Sequence, residues 1–235
     1  MSLRAGGVSH GPWASLNLGL ATGDDAAAVE QNRRRFAAAL GARPVWLRQV
    51  HGTAVLQLTP STPDRPAEAA DAAWTLERGL ACTVQAADCL PVLLALRDGR
   101  AVAAAHAGWR GLAAGVLEAA VRALCEGSGA GPEAVQAWLG PCIGPRQFEV
   151  GADVLRAFGV DPAAADGLRF RSRPRADGAP RWLANLPQLA RDRLAGVGVR
   201  AVSGGDACTV EDSSRFFSFR RDRVTGRLAA AIWRG

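Results

Sequence analysis

Apolar positions along the chain fall into alternating helical and extended patterns. Residues 24–40 open on acidic side chains and place Val29, Phe36 and Leu40 near one face, which predicts a helix ended by Gly41. Leu112, Val116, Leu117, Ala120, Val121 and Leu124 recur at helical spacing and predict a helix over 111–125. Shorter helices are expected at 151–158 and 186–195. Extended runs are expected at 45–58, broken at His51-Gly52-Thr53, and at 80–84 and 91–96. Asp98-Gly99 signals a hairpin into a strand over 100–105. Further strands are expected at 135–139 and 200–202, with 216–221 and 228–233 closing the sheet. Residues 61–68 carry prolines and read as a loop, and the Arg-rich part of 161–181 reads as a flexible surface loop.

This alternation predicts an α/β fold, with a mixed sheet flanked by helices. No linker divides the chain, so residues 1–235 are expected to form a single domain. No apolar run is long enough for a membrane helix, and the start lacks a basic segment followed by an apolar one. A cytoplasmic location is therefore expected.

Composition narrows the chemistry. Apolar residues make up 49% and charged residues 21%, as in a soluble globular protein. There are 3 His and 5 Cys, and no Cys-x-x-Cys pair, which removes zinc ribbons and thioredoxin-like motifs. The net charge is +6 and every basic residue is Arg, a pattern that GC-rich coding explains. The densest basic stretches are Arg169, Arg171, Arg173 and Arg175, then Arg215, Arg220, Arg221, Arg223 and Arg227. Neither is interleaved with a row of stacking aromatics, so nucleic acid is not an expected partner.

Three segments place a polar group at the end of an apolar strand beside Gly or Pro: Gln49-Val50-His51-Gly52, Ala87-Asp88-Cys89-Leu90-Pro91 and His106-Ala107-Gly108-Trp109-Arg110-Gly111. Strand ends are where α/β folds assemble sites. His51, Cys89 and His106 together offer two imidazoles and a thiolate, the three-ligand set of a catalytic zinc with one position open. The same residues taken singly also read as hydrogen-bonded structural histidines and a buried small hydrophobe.

In this order, the segments resemble the multicopper polyphenol oxidase (laccase) domain family. That family is also described as laccase-domain purine nucleoside phosphorylases and includes the peptidoglycan editing factor. The resemblance spans nearly the whole chain. It takes in Gly6-Gly7-Val8-Ser9, Ser15-Leu16-Asn17-Leu18-Gly19, Gly23-Asp24-Asp25, Asn32-Arg33 and Ala70-Asp71-Ala72. Beyond the three segments it continues through Gly140-Pro141, Ile143-Gly144, Glu149-Val150-Gly151, Cys208-Thr209, Phe217-Ser218, Arg220-Arg221, Gly226-Arg227 and Ile232-Trp233. It implies that His51, Cys89 and His106 bind Zn2+, with copper an alternative in the same site. It implies phosphorolysis of purine nucleosides, with adenosine deamination and methylthioadenosine phosphorolysis as related activities. Trp13 and Phe219 stand where the family often has Tyr, and Cys142 stands where a small residue is usual.

Phosphorolysis needs a phosphate clamp, groups for the ribose hydroxyls and a way to neutralise the leaving purine. Arg48 and Arg220 are candidates for the clamp, with Arg110 a third, because guanidinium binds phosphate bidentately. Asp88 and Arg48 are the expected catalytic groups, Asp88 as acid/base or as a residue orienting a ligand. Asn17, Gln49, Arg110, Glu149 and Arg220 are expected to bind substrate. Alternative activities on the same site are hydrolysis of a peptidoglycan-precursor amide and copper-dependent phenol oxidation; a non-catalytic metal-binding module is a further reading. With 3 His in all, one subunit cannot build a four-copper oxidase. The expected partners are purine nucleosides and phosphate, with no nucleic acid or membrane, in a monomer or homodimer.

Overall fold

The computed structural model describes residues 1–235. α1 (Ala26–Leu40) leads into β1 (Arg43–Trp46), β2 (Val55–Gln57), β3 (Ala72–Thr75), β4 (Leu80–Ala86), β5 (Leu90–Leu96) and β6 (Val102–Ala107). Next come α2 (Trp109–Ala114), α3 (Val116–Ser128), β7 (Val135–Leu139), β8 (Glu149–Val150) and α4 (Ala152–Ala157). The chain closes with β9 (Phe170–Ser172), β10 (Trp182–Ala184), α5 (Leu186–Gly196), β11 (Ala201–Gly204), α6 (Phe219–Asp222) and β12 (Leu228–Trp233).

The fold is α/β with parallel and antiparallel pairs mixed, as expected. Instead of one sheet there are three: β1-β4-β12, β8-β10-β9 and the large sheet β11-β7-β5-β6-β3-β2. The division follows from strands buried on both faces. In β6, Ala103 and Ala105 pack toward the helices, while Val102 and Ala104 pack toward the small sheet. In β4, Leu80, Cys82 and Val84 face the large sheet and Ala81 faces α1. Such strands read as continuous apolar runs, so the sequence does not reveal which sheet each joins.

The resulting layers are helix, sheet, sheet, helix. Leu112 of α2, Leu117 and Val121 of α3 and Leu189 of α5 cover the large sheet over Val92, Leu94 and Ala105. Phe36 of α1 covers Trp46, Ala81 and Ala231 on the outer face of the small sheet. Each large side chain buried this way contributes roughly 1.5–3 kcal/mol.

Local chemistry sets the element ends. The Asp25 carboxylate accepts from the Ala27 amide at the start of α1, and Gly41 ends it at φ 67°. The helix expected over 111–125 is two helices, because Gly115 at φ 101° breaks it. The strand expected over 216–221 is absent. Phe216 and Phe217 are both buried rather than alternating, and the Ser218 hydroxyl caps α6 by accepting from Arg221 N. The Arg-rich loop expected within 161–181 contains β9, which pairs with β10.

Candidate metal centre and cavity

Two crossings between sheets build the site. The chain leaves the small sheet after β1 and enters the large one at β2, carrying Arg48 to Gly52 across. It makes the same passage from β4 to β5, carrying Ala87, Asp88 and Cys89. In the large sheet Pro91 of β5 pairs with His106 of β6, so Cys89 lies beside the end of β6.

The turn at His51 has φ 61° and that at Asp88 has φ 94°, conformations that cost a non-glycine residue about 1–3 kcal/mol. Both are held by hydrogen bonds. Asp71, fully buried just before β3, accepts from the amides of Val50 (3.0 Å), His51 (2.9 Å) and Gly52 (2.7 Å). The same carboxylate accepts from His106 Nδ1 at 2.8 Å. Asp88 Oδ1 accepts from the Thr209 hydroxyl and Oδ2 from the Arg220 amide, each at 2.6 Å.

These contacts bring His51, Cys89 and His106 together, with their donor atoms all within 4.8 Å of one another. Cys89 Sγ lies 3.6 Å from His51 Nε2. Donors about 2.0–2.3 Å from a tetrahedral metal stand roughly 3.3–3.7 Å apart, so the Cys89–His51 separation is that of two ligands of one metal ion, with His106 close by. Asp71 occupies Nδ1 of His106 and leaves Nε2 as its ligand atom, the usual carboxylate–histidine support of a metal ligand.

The donors also act on one another electrostatically. Burial alone would raise the Cys89 thiol, but His106 and His51 bring it down to about 6. Burial alone would lower His106, but Cys89 and Asp71 raise it to about 9. Burial opposes ionisation of Asp71, yet His106 and the Gly52 and Val50 amides hold it below the usual carboxylate range. A Cβ added at Gly108 would stand 2.7 Å from His51 Cδ2 and 3.0 Å from Cys89 Sγ, so the approach of β6 requires glycine there.

The donor set opens into a cavity of about 840 Å³. Trp46, Trp109, Phe148 and Phe219 give it apolar walls. Arg33, Arg48, Arg65, Arg110, Arg220, Arg223 and Arg227 also line it, against one carboxylate, Asp88. Of these arginines only Arg65 is ion-paired, with Glu30 at 2.9 Å. The cavity is therefore strongly electropositive.

The family described as multi-copper polyphenol oxidoreductase laccase matches residues 1–235. The chain belongs to this family. This laccase-domain chain is 49% identical over 234 residues to purine nucleoside phosphorylase YfiH of Escherichia coli (strain K12), covering 99% of this chain and 91% of that protein. It is 50% identical over 233 residues to purine nucleoside phosphorylase PA4543 of Pseudomonas aeruginosa, with the same coverage of 99% and 91%. The crystal structure of Neisseria meningitidis protein NMB0706 is similar at TM-score 0.88 and 43% identity, covering 99% of this chain and 91% of that one.

The other residues singled out in the sequence are placed as follows. Arg48 is exposed on the cavity wall and donates from Nε to Ala67 O at 2.8 Å. Gln49 is on the wall too, but its amide donates to Gln85 O and accepts from Gln85 N. Arg110 stacks on Trp109 at 4.3 Å and Arg220 on Phe148 at 5.4 Å. Two residues lie elsewhere. Asn17 is fully buried and its amide is spent on Gly19, Thr22, Asp24 and Arg227. The Glu149 carboxylate turns outward to Arg175 at 2.8 Å, and only its backbone carbonyl meets Arg220.

Sequence reasoning assigned no role to Asp71, whose partners lie at 50–52 and 106. It also assigned none to Arg33 and Arg227, although each falls in a segment that carried the resemblance.

Proposed function

We propose that this protein is a metal-dependent purine nucleoside phosphorylase, converting a purine nucleoside and phosphate to the free base and ribose 1-phosphate. What carries this reading is one cavity that joins a His-Cys-His donor set to arginines without acidic partners. The names of the relatives at 49% and 50% identity support it.

The bond from C1′ to the purine breaks with its electron pair on the base, an oxygen of hydrogen phosphate bonds to C1′, and the proton that phosphate gives up ends on the purine nitrogen. The transition state is cationic at the sugar and needs the anion held close. Arg48 and Arg220 line the cavity with guanidiniums free of carboxylates and, with Arg110, add to the positive wall that draws the anion in. The purine is placed against the aromatic walls, where the exposed face of Phe219 is available. Both Asp88 oxygens are already hydrogen-bonded, so we assign Asp88 to holding the Cys89 turn and the Arg220 backbone rather than to proton transfer. Gln49 shapes the wall through Gln85.

His51, Cys89 and His106 would hold the metal. Two imidazoles and a thiolate favour Zn2+, with copper the alternative. When bound, the metal supplies Lewis acidity to a substrate atom. A cytoplasmic location, where nucleosides and phosphate meet, goes with this reading.

The test is metal analysis of the purified protein together with a purine-release assay. The expected result is about one zinc per chain and hypoxanthine released from inosine only when phosphate is present. Adenosine and methylthioadenosine are assayed in parallel, and inosine formed from adenosine without phosphate would mark deamination. Metal-loaded protein that turns over no purine nucleoside overturns the reading, and cleavage of a peptidoglycan precursor by that protein would put the amidase in its place.

A further inference from the structure

Arg33 and Arg227 reach the cavity and take no part in the mechanism above. Arg33 projects from α1 and is 7% exposed. Its Nε donates to Leu18 O at 2.9 Å, and its guanidinium lies 4.1 Å from the Trp46 ring centroid. Neither Nη meets a protein acceptor, and no carboxylate lies within ion-pair distance. Arg65, on the same cavity wall, is already paired with Glu30.

Arg227 is placed by the same short segment. Leu18 N donates to Arg227 O at 3.1 Å, so the two arginines hang from the two sides of Leu18. A Cβ on Gly19 would stand 2.6 Å from Arg227 Cγ, so glycine there lets the arginine stem lie against the 19–22 wall of the cavity. Arg227 Nη1 donates only to the carbonyls of Thr225 and Gly226, and it too has no acidic partner. Arg227 lines the same cavity as Asp88 and Cys89.

A buried cation without an anion is costly, and natural proteins pair such groups. Burial pulls the Arg33 guanidinium down to about 10, so it is still charged at neutral pH. Both side chains open onto the cavity, where an anion from outside the chain can pair with them. We propose that Arg33 and Arg227 form an oxyanion subsite of this cavity whose occupant is inorganic phosphate, the co-substrate. The identity of the occupant rests on the phosphorylase reading; the existence of an anion subsite rests on the two arginines.

The experiment titrates inorganic phosphate into the metal-loaded protein by calorimetry and measures the KM for phosphate and for inosine separately. In Arg33→Gln and in Arg227→Gln, phosphate affinity is expected to fall, and its KM to rise, at least about tenfold. The KM for inosine is expected to stay within about threefold, because the lost bonds are to the anion. Arg227→Gln keeps the test open should Arg33→Gln fail to fold, since Arg227 is the less buried of the two. Phosphate affinity unchanged in a folded variant of either residue overturns the proposal, as does an equal loss for inosine and phosphate. Inosine 5′-monophosphate bound more tightly than inosine, in an Arg33-dependent way, overturns the assignment to free phosphate. Phosphate bound through these arginines without nucleoside turnover supports the subsite and counts against the phosphorylase reading. Phosphate-dependent turnover indifferent to both substitutions overturns the subsite alone.

Discussion

The two densest arginine stretches of the chain differ in where their unpaired members lie. Between 166 and 181, Arg169 is paired with Asp166 and with Asp192 (2.6 Å), and Arg175 with Glu149 (2.8 Å). These are ordinary solvent-exposed ion pairs beside the β8-β10-β9 sheet, and Arg171 and Arg173, without acids, face solvent. Between 215 and 227, Arg215 and Arg221 are likewise paired, but Arg220, Arg223 and Arg227 turn to the cavity without acids. Arg33 joins them from α1. An arginine count therefore says little about function. What matters is which guanidiniums the fold leaves without a carboxylate, and where those converge.

The buried carboxylate that could have neutralised the cavity is committed to the metal ligands instead. Asp71 holds three consecutive amides and His106, and no arginine. The largest expected effect comes from breaking that commitment. Asp71→Asn removes the charge beside His106 and puts an NH2 donor where one carboxylate oxygen accepts two hydrogen bonds, so metal affinity should fall about 10–100-fold. Stability of the metal-loaded protein should drop by about 3–5 kcal/mol, as when one partner of a buried pair is removed. Metal analysis and denaturant titration check both. Full metal occupancy and unchanged stability would show that Asp71 is not what organises this end of the cavity. A smaller effect is expected from Gly108→Ala, which pushes a methyl group between His51 and Cys89. Metal affinity should fall by roughly tenfold, while phosphate affinity measured by calorimetry stays unchanged, because the arginine wall is not touched.

How much of this was legible beforehand follows from the range of each signal. α1, α5 and β12 announce themselves, since helical spacing, capping residues and the closing apolar run are local. The three metal-site segments were legible as strand ends, because Gly and Pro mark where the strands stop. The division into separate sheets was not, since a strand such as β6, buried on both faces, carries no alternation to say which layer it meets. Asp71 was hidden for a similar reason: an Asp between alanines has no local pattern, and its partners come from two other segments. Arg33 was masked by its neighbours, as Arg33, Arg34 and Arg35 read as one basic run until the helix turns only the first inward. Asn17 and Glu149 show the converse. Each polar side chain sits in a segment that resembles the family, yet one knots a buried turn and the other faces solvent.

The contrast between paired and unpaired arginines can also be sharpened by supplying the missing acid. Ala21 is exposed on the cavity wall beside Gly19 and Thr22. Ala21→Glu offers the arginine wall an internal carboxylate, which should compete with the incoming anion. The KM for phosphate should rise several-fold although no arginine has been removed, and the KM for inosine should change less. A phosphate KM that does not move would mean that the anion binds beyond reach of this wall.

The smallest effect belongs to the surface set. Arg175 is 51% exposed and its partner Glu149 33%. In water such a pair gains little over its separate hydration, and salt screens what remains. Arg175 also lies away from the cavity, so its charge reaches a bound anion only through solvent. Arg175→Ala should therefore leave the KM for phosphate within about twofold and the thermal midpoint within about 2 °C of the unmodified protein. Thermal melts and phosphate-dependence curves recorded beside those of Arg33→Gln make the measurement direct. A phosphate effect in Arg175→Ala as large as that in Arg33→Gln would mean that arginine acts here through overall positive charge, and the distinction between paired and unpaired guanidiniums would lose its functional meaning.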